Sequence, residues 1–195
     1  MTPRLNPSPP KRADAERNRA KILAAARTAF ANTEADVEIS MAEVSRRAGV
    51  GMATLYRNFP DRRALLEALY TDEVDAICQA TDTVGGDTPG AVFIAWLNRF
   101  FAFSTSKRHI AAELLTHSDG TNPVFGASRA RVLEAGRPFL LAAQDAHEVR
   151  PDLTLEQILD LIVAIARIHG APGYLEPILQ SALDGFRLSI DEKPA

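Results

Sequence analysis

Apolar residues recur at intervals of three and four along almost the whole chain, the spacing that gathers them on one face of a helix. Strict alternation is confined to Val37-Glu38-Ile39, too short and isolated to begin a sheet. The pattern predicts an all-α fold of about nine helices. The first is expected over 13–31, with Ile22, Ala25, Ala26, Ala29 and Phe30 as its buried stripe and Arg17 and Lys21 on the far side. Residues 1–12 read as a flexible arm. Ser40 is placed to open a second helix in a capping box, its oxygen accepting a first-turn N–H while Glu43 returns the bond. Gly49 stops that helix after Ala48, and a third short helix follows over 51–59. Pro60 and Asp61 suit the start of a fourth, which continues through Leu65, Leu66, Leu69 and Tyr70 towards Cys78. Gly85-Gly86-Asp87-Thr88-Pro89-Gly90 is the clearest break. Helices are then expected at about 90–105, 107–117, 123–148, 155–170 and 174–190, with Pro138 placed to kink the third of these and Thr154 with Gln157 forming another capping box. The implied division is an arm over 1–12, a first domain with its connecting helix over 13–78, and a second domain over 79–195.

Residues 40–59 (SMAEVSRRAGVGMATLYRNF) describe two short helices joined by a glycine-containing turn, a helix-turn-helix. Such a unit can offer its second helix to the major groove of DNA. Val44, Ala48 and Val50 are small enough for the helices to cross closely, and Leu55 and Phe59 point inward together. Ala53 and Arg57 fall on the opposite face, flanked by Thr54 and Tyr56. A small residue allows close approach, hydroxyls reach phosphates, and a guanidinium can fork onto guanine or phosphate. Plainer readings stand beside these. Tyr56 could plug the core, Arg57 could be a solvated surface charge, Arg17 and Lys21 could be either phosphate contacts or ordinary surface charges, and Met52 sits near the inward edge.

Charge sharpens the picture. Net charge is −3, but residues 1–63 carry 12 Lys+Arg against 7 Asp+Glu, and the remainder carries 10 against 18. A basic first third joined to an acidic body points to one end that meets a polyanion. Cys78 is alone, which excludes an internal disulfide and fits a reducing cytoplasm. No apolar run approaches the roughly 20 residues of a membrane helix. The N-terminus lacks the apolar core of a signal peptide. Phosphate loops, G-x-S-x-G and H-E-x-x-H are absent, and the four histidines have no metal-ligand spacing, so neither an enzyme, a cofactor nor a metal site is expected.

Gly49-Val50-Gly51-Met52-Ala53-Thr54-Leu55-Tyr56-Arg57-Asn58-Phe59, with Arg62 and Leu65 after it, resembles the signature of the tetracycline-repressor (TetR/AcrR) family over about the first 75 residues. The resemblance implies phosphate contacts for Thr54 and Tyr56, a backbone grip for Arg62, base-facing positions for Met41, Ala42, Met52, Ala53 and Arg57, and a cap near a phosphate for Ser40. Gly51, Ala53, Asn58 and Arg63 replace a common serine, glycine, histidine and glutamate, and the usual glycine after the first helix is missing from 31–36. Few donors remain on the reading face, so readout is expected to lean on methyl contacts, Arg57 and DNA shape.

The resemblance further implies a homodimeric repressor that binds a palindromic double-stranded operator and an effector enclosed by helices four to seven; a helix-turn-helix protein that binds DNA without an effector is the alternative reading, and a small enzyme a more distant one. Phe93, Trp96, Phe100 and Phe103 share a helical stripe that is either core or the lining of an apolar effector cavity. His109, Glu113, His117, Gln144 and His169 are candidate polar groups for such a cavity. The last two helices carry long apolar runs. Leu155, Ile158, Ile162 and Ile165, with Leu175, Ile178, Leu179, Leu183 and Phe186, form the expected dimer surface; burial within one chain is the competing reading.

Overall fold

The computed structural model of the chain describes residues 10–31, 39–79, 85–116 and 123–188. These form nine α-helices and no strand: α1 (Pro10–Ala31), α2 (Met41–Ala48), α3 (Met52–Asn58), α4 (Arg62–Gln79), α5 (Pro89–Ser106), α6 (Arg108–Thr116), α7 (Pro123–Asp145), α8 (Leu155–Ala166) and α9 (Pro172–Gly185). Helix α1 begins at Pro10, so residues 10–12 of the expected arm are helical and the rest lie outside the described residues. Three helices end earlier than their apolar pattern predicts. His147 adopts a positive φ of 54° just past α7, and Val149 then pairs with Arg187, just past α9, in an isolated antiparallel bridge. The Arg150 N–H donates to the Phe186 carbonyl at 2.9 Å and the Leu188 N–H to the Glu148 carbonyl at 3.2 Å.

The chain divides into two compact units, 1–69 and 70–195. The boundary falls inside α4, where the sequence pattern places it after Cys78. In the first unit, Ile22, Ala26 and Ala29 of α1 are fully buried, with Val44 of α2, Leu55 of α3, Phe59, and Leu65, Leu66 and Leu69 of α4. The predicted α1 stripe is therefore a core face, and Arg17 and Lys21 are exposed. Asp61 caps α4, its Oδ1 accepting the Ala64 N–H at 2.7 Å.

In the second unit, Phe93, Trp96, Leu97 and Phe100 of α5 form one core with Val132, Leu140 and Ala143 of α7. Leu155, Ile158, Leu159, Ile162 and Ile165 of α8 and Leu179, Leu183 and Phe186 close it. Each such side chain contributes about 1.5–3 kcal/mol by leaving water. Both bonds of the Thr154–Gln157 capping box are made, at 2.9 and 3.3 Å. Glu148 ties the start of α5 to the loop after α7, accepting from the Thr88 hydroxyl at 2.6 Å and the Gly90 N–H at 2.7 Å.

Candidate functional site

The helix-turn-helix is built from the turn outward. Gly49 takes φ 64°, the left-handed conformation that an L side chain resists, and its N–H caps the Arg46 carbonyl at 3.2 Å. The buried Ser45 hydroxyl donates to the Val50 carbonyl at 2.6 Å, and the Val50 N–H donates back to the Ser45 carbonyl at 3.2 Å. These bonds fix where α3 starts. Leu55 and Phe59 are buried, which sets its rotation, and the Arg19 guanidinium lies 4.6 Å above the Phe59 ring. Asn58 bonds back to the Thr54 carbonyl at 2.8 Å.

That anchoring turns a specific set of side chains outward. Ala53 and Arg57 are exposed, Tyr56 is 46% exposed, Met52 38%, and Thr54 is half-buried on the flank. Arg57 has no hydrogen-bond or ion-pair partner among the described residues, leaving its five donors available. Tyr56 does not plug the core. On α2, Ala42 and the cap Ser40 are exposed and Met41 is half-buried. Two residues expected to meet DNA already have partners within the chain. The Arg62 guanidinium donates to the Ile39 carbonyl and sits 5.5 Å from the Phe30 ring, so it clamps α4 to the entry of α2. Arg17 is paired with Asp14, whereas Lys21 is exposed.

The Ser40–Glu43 capping box is only half formed. Ser40 Oγ accepts the Glu43 N–H at 3.2 Å, but the Glu43 carboxylate turns to Arg46 at 2.7 and 2.9 Å and to Arg47 at 2.6 Å. Two guanidiniums outcompete one backbone N–H because both partners are charged. Hydrogen bonds from Arg46, then from Arg47, hold the Glu43 carboxyl at about 2, below its ordinary 4.5. A depressed folded value means that this contribution is present above pH 4.5 and is lost as pH falls towards 2. Glu43→Gln is therefore expected to lose less Tm than the unsubstituted chain between those two pH values, by a small margin because the cluster is screened by water. Parallel Tm curves across that window would contradict the assignment.

The second unit contains a cavity of about 1080 Å³. Tyr70 of α4, Phe100 and Phe103 of α5 and Phe125 of α7 supply its rings. Tyr70 meets Phe125 edge-on at 5.1 Å and Phe103 at 5.6 Å, and burial pushes its phenol above the ordinary value, keeping it a neutral donor. Of the expected lining, Phe100, Phe103, His109 and His169 are there. Phe93 and Trp96 are elsewhere: both are fully buried, with Trp96 stacked between Phe93 at 6.3 Å and Phe100 at 6.1 Å. Gln144 spends its amide on the Arg150 and Leu153 carbonyls at 3.0 and 3.2 Å, and Glu113 lies outside the lining. His117 falls outside the described residues. The sequence pattern did not single out Lys107 of the cavity wall, whose side chain is 7% exposed and pairs with Glu73, outside the lining, at 3.4 Å. Its only signal was its place at the α5–α6 junction.

The apolar faces of α8 and α9 are also placed differently from the expected dimer surface. Leu155, Ile158, Ile162 and Ile165, like Leu175, Leu179, Leu183 and Phe186, are buried within the single chain, and Ile178 is half-buried. Helix α8 packs on α5, α7 and α9, and α9 packs on α8. The apolar positions these helices leave in water are Leu161, 43% exposed, Ala164, and Tyr174, 60% exposed.

Among the described residues no cluster of side chains could hold a metal, and no helix is long and apolar enough to cross a membrane. Comparison with known proteins adds to this geometry. Residues 22–69 match the family model described as bacterial regulatory proteins, tetR family. Residues 88–188 match the transcriptional regulator SbtR-like C-terminal domain. A TetR transcriptional regulator from Streptomyces coelicolor is 34% identical, with 87% of this chain and 98% of that one covered and a TM-score of 0.67. A TetR regulatory protein from Mycobacterium vanbaalenii is 29% identical over 92% of this chain and 100% of that one, with a TM-score of 0.69. An uncharacterized HTH-type transcriptional regulator of Mycobacterium tuberculosis is 27% identical over 178 residues, 88% of each chain.

Proposed function

Because this chain belongs to the TetR family of bacterial transcriptional regulators, a family of DNA-binding helix-turn-helix proteins and not of enzymes, we propose that it is a homodimeric repressor of a palindromic operator, released by a small, mainly apolar effector. The observation that carries the reading is the outward face of α3, where Ala53, Tyr56 and Arg57, its guanidinium without a partner among the described residues, stand in water beside Thr54 while Leu55 and Phe59 are locked beneath them.

In this account Thr54 and Tyr56 hold phosphates, Arg57 reads a base edge or a phosphate, and Ser40, Met41, Ala42, Met52 and Lys21 lie beside them. Arg62 acts by holding the reading head together, and Arg17, exposed on α1 beside Asp14, lies at its edge. Leu161, Ala164 and Tyr174 are the positions through which α8 and α9 would meet a second copy. Pairing them would hold two recognition helices roughly 34 Å apart, one turn of B-DNA. The cavity of about 1080 Å³ takes the effector. An effector that binds better to the form unable to grip DNA shifts the population towards it. A bacterial chromosome lies in the cytoplasm, and so does its reader.

Hydroxyl-radical footprinting of the full chain on the DNA upstream of its own gene tests this. Two protected half-sites related by two-fold symmetry, about one helical turn apart or a multiple of it, are expected. A single asymmetric protected patch would overturn the dimer on a palindrome.

A further inference from the structure

We propose that the cavity selects an amphipathic carboxylate, with its apolar body among the rings and its acid group at the mouth; this rests on the cavity being the effector site. The lining is divided by polarity. Its buried or half-buried part is Tyr70, Phe100, Phe103 and Phe125, together with aliphatic side chains of α7 and α8. Its charged part is wholly cationic: Lys107, Arg108, Arg129 and Arg167, with His109 and His169 beside them, and no aspartate or glutamate among the described residues.

Not all of that charge is free. Lys107 is neutralised by Glu73 at 3.4 Å and Arg129 by Asp160 at 2.7 Å. The Arg108 guanidinium reaches only the Ile168 carbonyl, at 3.4 Å, and the Arg167 guanidinium has no hydrogen-bond or ion-pair partner among the described residues. The C-terminal ends of α5 and α8 meet this region at Lys107 and Arg167 and offset about half a charge each, while α6 begins at Arg108 and returns about half. Between one and two positive charges remain uncompensated. His109, Arg167 and His169 are exposed and Arg108 is half-buried, so this charge lies where a ligand head would stay in contact with water. A guanidinium pairs with a carboxylate through two parallel hydrogen bonds. An ester or amide of the same body offers no charge to pair, and an ammonium is repelled.

The test uses the full chain and two matched probe series: 2-naphthoate, methyl 2-naphthoate and 2-naphthylmethylammonium, then decanoate, methyl decanoate and decylammonium. Titration calorimetry and thermal shift are read for each. At least one carboxylate is expected to bind about ten-fold or more tightly than its ester. Arg167→Gln and Arg108→Gln should each shrink that ratio while ester affinity stays unchanged. An ester or ammonium that binds as tightly as its carboxylate overturns the carboxylate and leaves the cavity as the effector site. If no member of either series binds or raises the Tm, the effector-site reading itself fails and this proposal falls with it.

Discussion

Gly136→Ala is expected to lower the Tm by several degrees while leaving the helix content unchanged. A Cβ at this position in α7 would lie 2.3 Å from Cη2 of Trp96 and within 2.8 Å of two more ring atoms. Real contacts of that length do not occur, so one group must move. The indole has nowhere to go: it is fully buried, stacked on Phe93 and Phe100, and tilted against Phe139 at 6.0 Å. Overpacking of a rigid core ring costs typically 1–3 kcal/mol, occasionally more. For a chain of this size each kcal/mol moves the Tm by about 2–4 °C. Trp96→Phe shortens the ring and removes an indole N–H that has no hydrogen-bond partner in the core. The double variant should therefore be more stable than the sum of the two single losses. Differential scanning calorimetry of the four proteins checks this, and an unchanged Tm for Gly136→Ala would contradict the packing.

Phe59→Ala should act on the first unit in the same order of magnitude or above. The ring is almost wholly buried beneath Arg19 and is the last inward group of α3. Truncating a buried phenylalanine costs about 3–5 kcal/mol through lost transfer energy and the void left behind. With Phe59 gone, only Leu55 remains to set the rotation of α3. Hydrogen-exchange mass spectrometry should find the amides of α1 to α3 opened and those of α5, α7 and α8 still protected. Protection lost equally in both units, or in neither, would contradict a core that belongs to the first unit alone.

The elements were legible because helical periodicity and punctuation agree. Ser40 and Gly49 bracket α2, Thr154 and Gln157 open α8, and the Gly85–Gly90 cluster separates α4 from α5. The orientation of α3 was legible for the same reason, since Leu55 and Phe59 are the apolar pair at helical spacing on that short helix. What periodicity cannot carry is which neighbour covers a face. Leu155, Ile158, Ile162 and Ile165 look alike whether they meet α5 and α7 or a second copy, and they meet α5 and α7. Trp96 shares a stripe with Phe100 and Phe103, yet Gly136 admits its ring into the core and away from the cavity. Charged side chains choose among partners in space. Glu43 prefers two arginines to the Ser40 N–H, and Arg62 finds the Ile39 carbonyl 23 residues away. The cationic mouth of the cavity gathers residues from helix ends far apart in sequence, which no local pattern records.

The outward face of α3 can be tested without touching what holds it in place. Thr54→Ala, Tyr56→Ala and Arg57→Ala combined remove the phosphate and base contacts and leave Leu55, Phe59 and the Gly49 turn intact. Fluorescence anisotropy of the protein on its upstream DNA, repeated across a salt series, is the measurement. With circular dichroism and Tm unchanged, the triple variant should bind about a hundred-fold or more weakly, with a shallower dependence of log K on log salt because fewer counterions are released. An affinity and a salt slope equal to those of the unsubstituted chain would contradict the account.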